Sequence, residues 1–345
     1  MGEHTTPILT QSTISYAELA QQATQCLGES SAEQLSDPGA ARQEFEQHLL
    51  YLDEAVQAKE QALFTDYMEW LQQQAGSDTG YIQAQLQCVR RVLKNYASPE
   101  EAETIAAYLT AAASCVDNTC VEPGTFLPEQ DPLAPEAQAY LEAVLGGRRH
   151  EALDQIRGLA ESGTPVKSMY LDIFQKVQYE IGRLWQLNTI SVAQEHFCTA
   201  VTQMAMAQLY PYIFATKRVD KTLVSACVGG ELHELGPRMV ADFFEMAGWD
   251  TYYLGANTPK ESLLHAVVDQ RADVVGISVT MTYYLHKVRE LIQYLRAELG
   301  DRVHILVGGY PFVVSPELYK EIGADASAQD AQEAVLVATR LVQAE

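Results

Sequence analysis

Five short runs rich in β-branched and small apolar residues, at 222–228, 251–254, 274–279, 303–307 and 324–328, set the strongest limit on what this chain can fold into. Each precedes a longer stretch with helical periodicity, and strands alternating with helices imply a parallel sheet covered on both faces. Upstream the apolar spacing is three and four instead of runs. Phe45, Leu49, Leu52 and Val56 share one helical face, Leu63, Tyr67 and Trp70 extend a second, and Leu86, Val89 and Leu93 make a third. Breaks fall at Asp37-Pro38-Gly39, at Gly76-Ser77-Asp78 and at Ser98-Pro99-Glu100-Glu101, the last a helix-start signal with Ser98 as cap. The expected division is a helical domain over 1–120, a proline-bearing linker over 121–133, a bundle over 134–216 and an α/β domain over 217–345. Gly146-Gly147, Ser162-Gly163-Thr164-Pro165 and Asn188-Thr189 cut the bundle into four helices, and turns this short imply an antiparallel arrangement.

Charge narrows the function classes. The 345 residues hold 46 acidic side chains against 23 Lys and Arg, a formal balance of −23. Such a surplus repels phosphates and argues against unaided binding to nucleic acid or anionic lipid. The six cysteines are scattered with no dense framework, no secretory signal is visible at the amino terminus, and no apolar run reaches the roughly 18 residues of a spanning helix. The expectation is a cytoplasmic protein without membrane or direct nucleic-acid contacts.

In an open α/β sheet, ligands gather at the carboxyl ends of the strands. Three loops there are unusual: Gly229-Gly230-Glu231-Leu232-His233-Glu234-Leu235-Gly236 after the first strand, Ser278-Val279-Thr280 after the third and Gly308-Gly309-Tyr310-Pro311 after the fourth. His233 stands in a Gly-flanked loop, and Glu231 can take a hydrogen bond from one ring nitrogen, making the other a better metal ligand. Gly308 and Gly309 lack side chains where a bulky planar group needs close backbone approach. Ser278 and Thr280 offer hydroxyls.

These residues resemble the cobalamin-binding fold, whose signature is Asp-x-His-x-x-Gly, Ser-x-Leu and Gly-Gly at fixed intervals. This chain has 41 residues between Gly236 and Ser278 and 27 between Thr280 and Gly308, which match those intervals. The resemblance implies a flavodoxin-like five-stranded sheet, with His233 as lower cobalt ligand. Glu231, Leu232, Gly236, Ser278, Thr280, Gly308 and Gly309 would complete the cofactor-binding set. Glu231 in place of Asp and Thr280 in place of Leu are departures.

The bundle carries Gly182-Arg183-Leu184-Trp185 and Val192-Ala193-Gln194-Glu195-His196. A Trp followed ten residues later by Glu-His is similar to the helical cap of the cobalamin-dependent photoreceptors that regulate carotenoid synthesis. That resemblance implies adenosylcobalamin enclosed by Trp185 and Glu195, with His196 as upper cobalt ligand after light. The basic helix-turn-helix domain that opens those proteins is missing from residues 1–120. An all-helical domain in its place resembles photocobilins, which pair cobalamin with biliverdin, and His48, Tyr51, Tyr67 and Trp70 are the candidate bilin contacts. A helical domain in which these aromatics are simply core stands beside that reading. The expectation that follows is a non-enzymatic light sensor, a homo-oligomer whose packing changes on illumination and which signals to an unknown protein partner. The alternative is a corrinoid carrier of a methyltransferase system, disfavoured on the ground that Trp185, Glu195 and His196 would roof an upper face that a carrier needs open.

Overall fold

A computed structural model describes Leu9 and residues 13–30, 37–74, 78–118, 124–213 and 217–343. Cys120 and the edges of two expected domains, 121–123 and 214–216, lie outside the described residues. The chain forms two compact units. One takes in the chain to Val121 together with Met281–His286; the other holds Glu122–Thr280 and Lys287–Glu345.

The first unit is helical: α1 (Tyr16–Ser30), α2 (Pro38–Gln57), α3 (Gln61–Gln73), α4 (Thr79–Leu93) and α5 (Pro99–Asn118). The starts follow capping chemistry. The Asp37 carboxylate accepts from the Gly39 and Ala40 amides with Pro38 in the first turn, and Asp78 accepts from Gly80. Ser98 and Glu101 form the expected reciprocal box, Glu101 N–H to Ser98 Oγ at 3.3 Å and Ser98 N–H to Glu101 Oε2 at 2.7 Å. The predicted apolar stripes point inward: Phe45, Leu49, Leu52, Leu63, Tyr67, Leu86, Val89 and Leu93 are buried.

The second unit begins with helices α6 (Ala134–Leu145) and α7 (Arg149–Glu161). A third helix follows in pieces: α8 (Val166–Ser168), a wider π-helical segment (Met169–Gln175) and α9 (Lys176–Gln186). It is succeeded by α10 (Val192–Gln208) and a short α11 (Tyr210–Ile213). The π segment, invisible to periodicity, sends Met169, Tyr170, Ile173 and Phe174 into the core. The stretch read as linker is fastened to the bundle over its described part, with the Phe126 amide donating to Glu180 Oε2 (3.0 Å) and Lys176 bonded to Asp131 (2.8 Å).

Strands β1 (Thr222–Cys227), β2 (Asp250–Tyr253), β3 (Val274–Ser278), β4 (His304–Gly308) and β5 (Ala326–Ala328) pair in parallel in the order β2-β1-β3-β4-β5. Helices α12 (Leu235–Met246), α13 (Lys260–Asp269), α14 (Leu285–Leu299) and α17 (Ala331–Leu341) make the crossovers and the carboxyl-terminal cover, with short α15 (Tyr310–Val314) and α16 (Leu318–Glu321) between β4 and β5. This is the doubly wound, flavodoxin-like fold that the strand–helix alternation predicts. β5 is shorter than its apolar run, and just before it the Asp325 carboxylate accepts from the Ile305 amide (2.6 Å) and Arg296 (2.6 Å). Bundle and sheet share one apolar core, in which Met239 and Phe243 of α12 and Ala331 of α17 pack with Tyr140, Tyr170 and Phe174. Among the described residues no helix is long and apolar enough to cross a membrane.

Candidate functional site

In the order β2-β1-β3-β4-β5 the switch point lies between β1 and β3, the place at the carboxyl edge where open α/β sheets bind their ligands. Register brings the three sequence motifs side by side: Cys227 pairs with Ser278, and Ser278 with Gly308. Backbone bonds continue past the strands, Val228 N–H to Ser278 O at 3.1 Å and Val279 N–H to Gly308 O at 3.1 Å.

The loop after β1 is organised by Glu231. Its side chain is 1% exposed, and Oε1 sits 2.5 Å from His233 Nδ1 and 3.0 Å from the His233 amide. Oε2 accepts from the Thr280 amide at 2.8 Å, tying the β1 and β3 loops together. The Asn257 amide donates to the Glu231 carbonyl (2.9 Å), while Asn257 Oδ1 accepts from Gly230 N–H (2.7 Å). A carboxylate only accepts, so Nδ1 carries the proton, and in the neutral ring Nε2 keeps its lone pair. The ring is 59% exposed, and among the described residues no protein group engages Nε2. The bond to Glu231 raises the imidazole pKa against the opposing effect of burial, and the charge of Glu195 adds to the rise. Cys227 lies beneath, its Sγ 3.7 Å from the His233 carbonyl; burial pushes the thiol up to about 12.

Thr280 therefore acts through its main chain in this network, and a main-chain N–H is available whatever the residue, so Thr for Leu leaves the tie intact. Gly309 has φ 111°, and a Cβ there would stand 1.8 Å from the Val279 carbonyl oxygen, so only glycine fits. Gly308 and Ser278 are half-buried beside it, Leu232 is 72% exposed at the loop tip, and Gly236 lies in the first turn of α12.

From the bundle, Glu195 and His196 stand in the first turn of α10, which Ser191 and Gln194 close with a capping box. Glu195 accepts from Thr199 Oγ1 (2.8 Å) and pairs with His196 Nδ1 (2.5 Å). Trp185, near the end of α9, is 41% exposed and the His196 side chain 75%.

In the first unit the expected bilin contacts meet one another. Tyr51 stacks on Tyr67 at 3.7 Å with an interplanar angle of 4°, and Trp70 lies 6.1 Å beyond Tyr67. His48 is buried between the Tyr67 hydroxyl (2.9 Å) and Gln85 Oε1 (3.3 Å).

Two family models, each described as a B12 binding domain, match residues 221–338 and 136–210. The dimethylamine corrinoid protein 2 of Methanosarcina mazei is 31% identical over 167 residues, covering 48% of this chain and 75% of that protein. The chain belongs to the corrinoid protein family. A second relative from that organism, dimethylamine corrinoid protein 3, is 29% identical over 48% of this chain and 96% of its own length. A corrinoid protein of Desulfitobacterium hafniense is 29% identical over 47% of this chain and 76% of its own. The crystal structure of the monomethylamine corrinoid protein of Methanosarcina barkeri aligns with TM-score 0.55 at 22% identity, covering 61% of this chain and all of that one, which supports the fold.

These relatives overturn the light-sensor expectation. They bear the names of corrinoid proteins, matching the alternative, and the bilin that was to widen a sensor's spectrum loses its rationale with it. The corrinoid-binding module is common to both readings and stands. Sequence reasoning missed Asn257, Cys227 and Glu234. Asn257, in the left-handed region at φ 49°, follows β2 with no motif around it, and Glu234 reads as one more acid in an acidic chain.

Proposed function

We propose that this chain is a corrinoid carrier: it holds cobalamin at the carboxyl edge of β1, β3 and β4 and presents it to a partner protein that moves methyl groups. The observation that carries the reading is the buried Glu231 fixing His233 with Nε2 outward, in a chain 31% identical to a dimethylamine corrinoid protein. The residues present fit the group. An imidazole nitrogen is a suitable donor to a late transition metal, and the left-handed φ of Gly309 with the Val279 carbonyl against it keeps side chains off the end of β4. Bound cobalamin would supply a cobalt centre able to take up and release a methyl group.

Each residue has a definable task. His233 would hold the cobalt through Nε2, with Glu231 keeping the Nδ1 proton and the ring orientation. Ser278, Thr280, Gly308 and Gly309 bound the slot between strand ends, with Leu232 and Gly236 shaping the first loop. Trp185, Glu195 and His196 flank the approach from the bundle, where a partner needs access. By analogy with the relatives' names, the methyl donor belongs to the methylated amines, and the partner is a methyltransferase. The test is to incubate the full chain with aquocobalamin, remove free cofactor and record the absorption spectrum. One cobalamin retained per chain, with a spectrum that His233→Ala changes, is expected. Retention of none, or a wild-type spectrum identical to free cofactor, overturns the reading.

A further inference from the structure

From the residue that caps α12 onward, Glu234, Arg238 and Asp242 recur at intervals of four, which places them on one helical face. Each is bonded to the bundle. Gln203 Nε2 donates to Glu234 Oε1 at 3.0 Å, Arg238 Nη2 to the Tyr210 hydroxyl at 3.2 Å, and the Tyr170 hydroxyl to Asp242 Oδ2 at 2.7 Å. Arg238 also lies over the Tyr210 ring, 5.8 Å from its centroid. The three rungs differ in surroundings. Asp242 is buried, with Tyr170 and Phe243 packed in the shared apolar core, whereas Glu234 and Gln203 are half-buried at the carboxyl edge of the sheet, beside His233.

Glu234 does more than close one rung. Its Oε2 accepts from the Ala256 amide (3.3 Å) in the loop after β2, and its carbonyl accepts from the Tyr253 hydroxyl (2.8 Å). One residue thus binds the β1 loop, the β2 loop and α10. Gln203 lies eight residues after Glu195 on α10, about 12 Å along the axis at 1.5 Å per residue. The Gln203–Glu234 bond therefore fixes where the Glu195–His196 pair stands relative to the His233 loop.

We propose that Glu234 is a positioning residue: with Gln203 it clasps the bundle to the lower-ligand loop, setting the width of the corrinoid crevice while the apolar core holds the opposite end. Its functional meaning rests on the carrier reading, since a crevice that opens at this end exposes the cofactor to a partner and also lets it escape.

The test compares Glu234→Ala, Gln203→Ala and the exchanged pair Gln203→Glu/Glu234→Gln in the full-length protein. In the exchanged pair the amide still donates to a carboxylate across the rung, and the new glutamine carbonyl still accepts from Ala256. Hydrogen exchange without cofactor is expected to speed up about tenfold to a hundredfold at residues 190–200 and 229–236 in Gln203→Ala, the loss of one hydrogen bond to a charged group, and by at least as much in Glu234→Ala, which also gives up the Ala256 amide. Aquocobalamin release should quicken by a similar factor, and both should return toward wild type in the exchanged pair. Should Glu234→Ala fail to fold, Gln203→Ala and the exchanged pair decide. Wild-type exchange in Gln203→Ala, or an exchanged pair as fast as the single variants, overturns the clasp. Exchange is read without cofactor, so that failure is distinct from failure of the wild-type chain to bind cobalamin, which would overturn the carrier reading instead.

Discussion

The Glu231 carboxylate serves three donors: the His233 ring, the His233 amide and the Thr280 amide. Its burial means that truncation leaves those donors unpaired and the imidazole free to turn. Glu231→Ala should therefore weaken cobalamin binding by roughly 10- to 100-fold, the usual cost of losing the group behind a metal-ligating histidine, as measured by equilibrium dialysis. A smaller loss would mean that the ring is oriented by something else. Gly309 makes a sharper case, because its left-handed φ and the Val279 carbonyl both exclude a methyl group. Gly309→Ala should lower stability by at least about 2 kcal/mol in denaturant unfolding, through backbone strain and steric displacement together. Both residues were legible in the sequence as a motif. Their reasons were not: the Thr280 amide and the Val279 carbonyl are contributions of main chain, which no side-chain pattern records.

Among the elements, the helices were legible where caps and apolar stripes agree, as at Asp37, Asp78 and the Ser98–Glu101 box. The π segment at Met169–Gln175 was not, since a wider turn is chosen by the core it fills. The packing of α2, α3 and α4 around His48 carries a pH consequence. Gln85 Oε1 only accepts, so Nε2 holds the proton and Nδ1 accepts from Tyr67, a neutral ring with both nitrogens satisfied. Burial pushes its pKa down from the ordinary 6.5 to about 4. Between those values the unfolded chain binds a proton that the folded chain refuses. Stability therefore falls as pH drops from 6.5 toward 4, by about 1.4 kcal/mol per pH unit from this group, and is unaffected by it above 6.5. His48→Gln should flatten that part of the stability–pH curve for the helical unit, followed by thermal unfolding monitored by circular dichroism. An unchanged slope would show that carboxylates alone govern it.

For the whole molecule, the cofactor is expected to act on one unit. Every residue assigned to the corrinoid site belongs to the unit of Glu122–Thr280 and Lys287–Glu345. Cobalamin at about 100 times its dissociation constant should stabilise that unit by about 2.7 kcal/mol, raising its unfolding midpoint in calorimetry. Any transition belonging to the helical unit should stay where it is. A common shift of all transitions would mean that the two units unfold together.

The sequence alone determined the strand–helix alternation, the sheet class and the three loops that meet at one edge, because periodicity and motif spacing are local or nearly local quantities. The motif spacing in those loops also pointed, by resemblance, to a corrinoid, which the matched B12 binding domains support. Only the tertiary structure decided that Glu195 pairs with His196 at the start of α10, that Tyr51, Tyr67 and Trp70 pack on one another, and that Glu234 ties the loop after β1 to the loop after β2 and to α10. Exposure and pairing depend on which surfaces meet across long separations in the chain. A residue's type states what bonds it can make, and packing alone states which of them it does.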